Sequence, residues 1–419
     1  SAASDVYKRQ VQTVPNEMLS LFNTAVNFLS EVCGATIVLC SATQPCLEQT
    51  AHPMTENIKD IVPFDEELWR VFRRTQIIDK GGMRLDAIPA FIAEQLDRTD
   101  SLLVICNLKK QAAYLFTEMN LENTVIFHLS AGMCMAHRMT VISEINSALE
   151  KRRTDPDAPK VVCISTQVIE AGVDVSFGCV IRLCAGLDSV IQAAGRCNRN
   201  GELNGAADVF IINCRGEDLG MLRSIKDGKM ACMSLLSDYK YHPEKYPSGL
   251  TSDEAVYAYY KKFYIQSDIG AQDMPIKIDG SPFTLFDLLS LDRTFANAPY
   301  LKANGEKYAL TQAFKTAGSR FTVFGSRTTD VIVPYGEGKE IITELGSKRV
   351  EEDIKYLKKL IKKARAYTVS LYENQRRALA DSGALHPIAD GIALALSEEF
   401  YNEDFGLNLD GESREAITL

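Results

Sequence analysis

Gln192, Arg196 and Arg199 stand at i, i+4 and i+7 in the segment DSVIQAAGRCNRNG, residues 188–201. If one helix carried through all three, their side chains would share a face. A planar guanidinium binds two phosphate oxygens at once. A pair of arginines so placed suits a nucleotide held by a neighbouring lobe and offsets charge on a phosphoryl group in transfer. Lysine cannot copy that fork. Ala193, Ala194 and Gly195 let the backbone approach a partner surface closely. For either arginine alone the bland alternative is a surface ion pair.

A second segment, STQVIEAGVDV at 165–175, follows the apolar run KVVCIS. Ligands of parallel α/β sheets lie beyond the carboxyl ends of strands. Thr166 can hold a nucleic-acid phosphate through its hydroxyl and backbone N–H. Gly172 permits close approach or a positive φ. Asp174 can accept a hydrogen bond from a ribose hydroxyl, or simply cap a turn. A third segment, SATQP at 41–45, brings Ser41 and Thr43 after another apolar run. Asn107, at a strand end, reads equally as a turn residue or a nucleic-acid contact. His128 and His137 read as ordinary strand-end and helix histidines. The basic stretch with Lys355, Lys358, Lys359, Lys362, Lys363 and Arg365 reads as a solvated helix face. Trp69 and the tyrosines of 256–264 read as core.

These segments need a scaffold, and the pattern supplies one. Residues 16–32 carry apolar positions at helical spacing, namely Met18, Leu19, Phe22, Val26 and Leu29. ATIVLC at 35–40 is expected to be a parallel strand covered on both faces. Residues 45–80, with Pro45, Pro53 and Pro63, read as a linker of mixed polarity. Helices and strands then alternate: helix 84–97, strand 101–106, helix 108–119, strand 123–128, helix 135–150, strand 160–165, strand 178–184, helix 188–195 and strand 207–213. That order predicts an α/β fold, a parallel sheet with helices on both faces. KRRTDPDAP at 151–159 reads as an exposed loop. Residues 217–305 look mainly helical. RFTVFGSRTTDVIVPYG reads as a short antiparallel pair, followed by a basic helix at 350–364 and a strand YTVSLY.

With 419 residues, 46% hydrophobic and 24% charged, the chain suits two or three globular domains rather than disorder. No apolar run nears the ~20 residues that span a bilayer. No apolar leader follows the basic start, so no secretory signal and no membrane partner are expected. Eleven scattered cysteines, none in a C-x-x-C pair, read as buried free thiols of a cytoplasmic protein. The net charge of −9 argues against bulk attraction to nucleic acid but allows a narrow basic channel.

Taken in order, the three segments resemble motifs III, V and VI of superfamily 2 helicases. The chain is similar to the CRISPR-associated helicase–nuclease of type I (Cascade) systems, which shows SATQP, T-Q-V-x-E-A-G-x-D and Q-x-x-G-R-x-N-R-x-G. LVICNLKKQA, with Asn107 and Lys109, resembles its motif IV, and HLSAGMCMAHR, with Ser130 and Arg138, the block that follows. VIVPYGEGKE, YTVSLYENQ and YNEDFGLNLD resemble its C-terminal domain. The resemblance implies that Gln192, Arg196 and Arg199 contact ATP phosphates, with Gly172 and Asp174 supporting the nucleotide. It implies that Asn107, Ser130 and Thr166 hold single-stranded DNA, and that Ser41 and Thr43 couple hydrolysis to grip. It further implies ATP with Mg²⁺ as cofactor and an RNA-guided Cascade surveillance complex as partner, in antiviral defence. Rival readings are another superfamily 2 DNA or RNA helicase and a non-catalytic lobe that binds nucleic acid or a partner. In motif VI, Gln192 counts against the DEAD-box relatives, which start it with His-Arg.

The sequence departs from the family in three ways. It holds no G-x-x-x-x-G-K-[ST] phosphate loop, no D-E-x-[HQ] box and no His-Asp pair for a nuclease metal centre. Residues 1–10 fit nothing downstream and read as artefactual, and Val11–Pro15 looks like the tail of the box. The expected organisation is a first RecA-like lobe remnant at 11–50, a linker at 51–80 and a second RecA-like lobe at 81–215. A helical linker region at 216–315 and an accessory C-terminal domain at 316–419 follow. The phosphate loop's lobe and the HD nuclease domain are then partners outside this sequence, and the chain alone is expected to be inactive.

Overall fold

The computed structural model describes residues 11, 14–55, 59, 61, 74–170, 173–203, 205–220, 222–267, 269–278, 280–290, 305, 312–322, 328–347, 350 and 353–409. They fall into two compact units. One comprises 1–66, 185–191 and 221–325, and the other 67–184, 192–220 and 326–419.

The second unit is built on a six-stranded parallel sheet. Its strands are β1 (Thr75–Arg84), β2 (Ser101–Ile105), β3 (Thr124–Leu129), β4 (Lys160–Ser165), β5 (Cys179–Leu183) and β6 (Ala207–Arg215), in the order β1-β6-β5-β2-β4-β3. The alternation of side chains sorts the core into two layers. Leu102, Val104, Val162, Ile164, Ile181 and Phe210 face helices α1 (Ile88–Leu96) and α2 (Lys109–Glu118). Leu103, Ile105, Val161, Cys163, Val180 and Val209 face helix α3 (Met135–Thr154), through its Val141, Ile145 and Leu149. Period 2 in the strands and period 3.6 in the helices thus produce a parallel sheet with helices on both faces. Helix α4 (Leu187–Ala194) follows β5 in the chain.

The same unit carries a smaller sheet formed by β9 (Thr328–Ile332), β10 (Thr368–Tyr372), β11 (Leu385–Ile388) and β12 (Ala393–Leu396), in the order β10-β9-β12-β11. A basic helix (Ile354–Ala364) covers it, with Asp353 accepting from the N–H groups of Lys355 and Tyr356 at 2.9 and 3.0 Å. Its lysines are exposed while Leu360 and Ala364 are buried. A two-strand ribbon, β13 (Tyr401–Asn402) with β14 (Gly406–Leu407), comes last.

The first unit contains helix Leu19–Glu31, long helices Arg223–Tyr241 and Asp253–Gln266, and the hairpin β7 (Pro275–Ile278) and β8 (Ser281–Thr284). Met18, Leu21, Met274, Leu285 and Leu288 form its apolar cluster.

Several sequence expectations need correction. Residues 35–40 form no strand: Val38 is 58% exposed, and backbone bonds there run from Val11 N–H to Cys40 O and from Ala35 N–H to Leu29 O. A parallel strand exists only beside a neighbour, and among the described residues none pairs with it. The expected linker 51–80 overlaps β1, an edge strand paired in parallel with β6 and broken by a bulge between Asp79 and Gly82. Its half-buried, Gly-Gly-interrupted sequence hid the strand. KRRT of 151–154 is the last turn of α3, where Lys151, Arg152 and Arg153 complement the helix dipole. Strand 328–332 pairs antiparallel with 368–372 rather than within 320–335, of which 323–327 lie outside the described residues. All eleven thiols are free, but Cys33 and Cys40 are exposed. Trp69 lies outside the described residues.

The contrast between β5 and the 35–40 run is measurable. Ile181→Ala, in a fully buried strand, should cost about 2–5 kcal/mol in urea unfolding of this chain. Val38→Ser should change stability by less than about 0.5 kcal/mol. Equal losses at the two positions would show that residues 35–40 are covered in solution.

Candidate functional site

The segment that carries Gln192, Arg196 and Arg199 does not remain helical. Helix α4 stops at Ala194, and two turn bonds follow, Arg196 N–H to Ala193 O at 2.9 Å and Cys197 N–H to Ala194 O at 3.0 Å. The chain then pairs with Phe177: Phe177 N–H donates to Arg196 O, and Asn198 N–H to Phe177 O, each at 2.9 Å. Asn198 sits at φ +44°, a left-handed conformation that Asn tolerates, and its side chain ties down Leu203 N–H and Gly205 O. The three side chains therefore do not share a helical face.

The turn sends the arginines in different directions. Arg196 is buried, and its Nε and Nη2 donate to the carbonyls of Ile169 and Glu170 at 3.0 and 2.6 Å. Burial lowers its pKa, as does the like charge of Arg199, against the pull of Asp174 and Glu170. An arginine so placed still carries its proton. Arg199 points outward, 3.0 Å from the Asp174 carboxylate, which is 87% exposed. Its backbone N–H donates to Ser176 Oγ at 3.0 Å. Gln192 is half-buried in the last turn of α4, and Gly172 lies outside the described residues.

At the carboxyl edge of the sheet lies a buried polar network that the sequence did not single out. Arg182 of β5 is fully buried. Its Nε meets Glu170 Oε1 at 2.9 Å, and its Nη1 donates to Asn107 Oδ1 and Leu183 O at 2.7 Å and to Ile105 O at 3.3 Å. Asn107 Nδ2 in turn donates to Cys184 O and to Glu217 Oε1, at 3.0 and 2.9 Å, and Gln111 Nε2 reaches the same carboxylate oxygen at 2.9 Å. Asn107 is thus committed to protein partners. The signal was there: one charge inside CVIRL, a strand buried on both faces, requires partners.

Thr166 and Ser130 end neighbouring strands. Thr166 N–H donates to Leu129 O at 3.0 Å, and its buried Oγ1 has no partner among the described residues. Ser130 is buried, with Oγ accepting from Gly132 N–H at 3.2 Å. The 128–134 loop is held by the β13–β14 ribbon. Leu407 N–H donates to Gly132 O at 2.8 Å, and Cys134 N–H to Tyr401 Oη at 3.0 Å. Tyr401 Oη also lies 2.9 Å from His137 Nδ1, and His128 Nδ1 lies 2.9 Å from Asp404 O. A carbonyl only accepts, so Nδ1 of His128 carries the hydrogen in this arrangement. A side chain at Gly406 (φ +75°) would strike Gly132 O at 2.4 Å, so only glycine fits that approach. Burial pushes the His128 imidazole down to about 4, more than the Asp404 carbonyl and carboxylate raise it, with His137 adding to the depression.

In the first unit, Ser41 and Thr43 close a small turn on each other, and Thr43 Oγ1 lies 3.3 Å from Tyr260 Oη. Tyr259 Oη donates to Asp188 at 2.9 Å, and burial raises its pKa well above normal. Among the described residues no three His, Cys, Asp or Glu side chains gather into a metal site.

A family model described as Cas3-like, the C-terminal part of the CRISPR-associated nuclease/helicase Cas3, matches residues 98–202. The CRISPR-associated nuclease/helicase Cas3 of Haloferax volcanii is 66% identical over 41 residues, 10% of this chain and 4% of that protein. Its namesake from Methanothermobacter thermautotrophicus is 25% identical over 215 residues, 46% of this chain and 23% of that one. A crystal structure of T. fusca Cas3 aligns with a TM-score of 0.48 and 14% identity, over 77% of this chain and 42% of its own. The matches therefore span less than a quarter of either curated relative. Residues 98–202 are thus similar to the Cas3-like C-terminal domain.

The His128 contact predicts a pH dependence. The unfolded imidazole titrates near 6.5 and the folded one near 4, so the unfolded chain binds more protons between them. Its contribution to stability is complete above pH ~6.5 and is lost as pH falls toward 4, about 3 kcal/mol in all. His128→Gln should flatten that part of the stability–pH curve relative to the wild type. Parallel curves from pH 7 to 4 would remove His128 as its source.

Proposed function

We propose that this chain supplies the second motor lobe of an ATP-driven superfamily 2 translocase acting on single-stranded DNA in CRISPR interference. The observation that carries this reading is the division between the two arginines. Arg196 is committed to the carbonyls of Ile169 and Glu170, whereas Arg199 offers an outward fork whose exposed partner, Asp174, can be exchanged for phosphate. A surface ion pair of that kind holds by ~1 kcal/mol or less, so an incoming polyphosphate displaces it readily.

The residues present fit the phosphate end of a nucleotide and not the whole of it. Arg199 would meet the terminal phosphate, with Asp174 released toward the ribose. Gln192, half-buried, would contact the same phosphates from the end of α4. When bound, ATP with Mg²⁺ supplies the free energy for movement along DNA. The phosphate loop and metal carboxylates would come from a first lobe, whose sheet would pair with the apolar run 35–40. Ile37 and Val38 are exposed in this chain and suit such a cover. The strand-end groups Asn107, Ser130 and Thr166 would position the DNA backbone, through main-chain atoms where the side chains are already bonded. An RNA-guided surveillance complex would deliver the DNA, and an HD nuclease domain would cut it. Among the described residues no helix is long and apolar enough to cross a membrane.

The test supplies a phosphate-loop lobe together with this chain. Arg199→Ala should lower kcat for DNA-stimulated ATP hydrolysis on the order of 10³-fold and leave the thermal midpoint in place. Arg196→Ala should lower both, because it strands two buried carbonyls at ~1–3 kcal/mol each. An unchanged kcat in Arg199→Ala would remove the finger role. ATP turnover by the present chain alone would refute the need for a first lobe.

A further inference from the structure

Two loops at the carboxyl edge of the sheet meet in one buried guanidinium. The loop after β2 brings Asn107, and the loop after β4 brings Glu170. Arg182 touches both from a position with no exposure, while the Glu170 side chain is 9% exposed. Glu170 is also held from its other end, since its carbonyl accepts from Arg196 Nη2 at 2.6 Å. Glu217, from the segment after β6, extends the network by accepting from Asn107 Nδ2 and Gln111 Nε2.

We propose that Arg182 is a positioning residue that couples these two loops, holding the Asn107 side chain and the Glu170 carboxylate from a single planar fork, so that the loop receiving Arg196 and the loop after β2 move as one. What the two loops contact rests on the function proposed above; the coupling itself does not.

The geometry requires arginine. Nε and Nη1 diverge within one rigid plane, one toward Glu170 and the other toward Asn107 and the carbonyls of Ile105 and Leu183. Lysine would keep the charge and lose that double reach. A buried ion pair gives little net stability, yet breaking it leaves a carboxylate without compensation. Such a pair specifies one arrangement over nearby ones. In this chain, the arrangement specified is the distance between Asn107 and the carbonyls that Arg196 grips. Any displacement of Arg196 that drags Glu170 must therefore be felt at Asn107, and the reverse.

The experiment follows hydrogen exchange in the full chain, alongside affinity for a labelled single-stranded DNA oligonucleotide and the thermal midpoint. In Arg182→Lys, peptides covering 105–111 and 166–170 should both exchange about tenfold faster, with 368–372 in the small sheet unchanged. Arg196→Lys should loosen 166–170 and, through Glu170, 105–111 as well. Loosening of only one of the two peptides, or uniform loosening of the whole chain, overturns the coupling. If Arg182→Lys does not fold, Glu170→Gln decides, since it keeps the shape and an acceptor but removes the charge. Its paired loosening supports the proposal, and unchanged exchange overturns it. Oligonucleotide affinity should fall about tenfold in Arg182→Lys but not in Ile145→Val, a core change that lowers the midpoint without touching the network. Affinity that merely tracks the midpoint across both variants reduces Arg182 to a structural residue. If the wild-type chain binds no oligonucleotide, the functional reading falls, and the exchange pair still decides the coupling.

Discussion

A parallel sheet covered on both faces leaves polar groups one place to gather. Each central strand must be largely apolar, because both of its faces meet helices. Each connection must cross over, so all strands deliver their carboxyl ends to the same edge. In this chain that edge collects Asn107 after β2, Ser130 after β3, and Thr166 with Glu170 after β4. Arg182 is a fully buried charge within a strand, and it pays its desolvation cost by reaching that same edge, where Ile105, Leu183, Asn107 and Glu170 satisfy it.

The same constraint divides the work of the two arginines. Once α4 ends at Ala194, the chain must return beside Phe177 to continue toward β6, and the left-handed Asn198 makes that return possible. Arg196, just before the return, is drawn inward over the carbonyls that follow β4. Arg199, just after it, is left outside. Local backbone geometry, rather than any difference in residue type, thus makes one arginine a buried brace and leaves the other at the surface, paired with Asp174.

Much of this could be read from the residues, and the failures have specific causes. Strands 101–105, 160–165 and 179–183 announce themselves because burial on both faces demands uninterrupted apolar runs. Strand β1 did not, since an edge strand half-open to solvent tolerates Asp79, Lys80 and a Gly-Gly bulge. The run 35–40 failed in the opposite sense: its composition is that of an interior strand, but composition cannot provide a neighbour. The pairing of 328–332 with 368–372 is non-local, and no spacing within 320–335 reveals it. Motif spacing brought Gln192, Arg196 and Arg199 to attention, but their directions depend on one turn. The Arg182 network joins residues 75 and 110 positions apart, a separation over which periodicity says nothing.

The ribbon at 401–407 shows how far such long-range contacts can redefine a motif. Ser130, read alone, is a hydroxyl at a strand end, free to meet a phosphate. In the folded chain its Oγ already accepts from Gly132 N–H, and Gly132 O is taken by Leu407 N–H. Gly132 and Gly406 approach so closely that a Cβ at Gly406 has no room. A ligand of this loop must therefore meet its remaining backbone groups, or displace the ribbon and forfeit the His128, Cys134 and Tyr401 contacts with it. Losing several net hydrogen bonds at ~1 kcal/mol each is a substantial cost. The loop's shape is thus set jointly by β3 and by a segment 276 residues further along the chain from His128. Whatever the loop binds, it binds in a form that the C-terminal ribbon has selected.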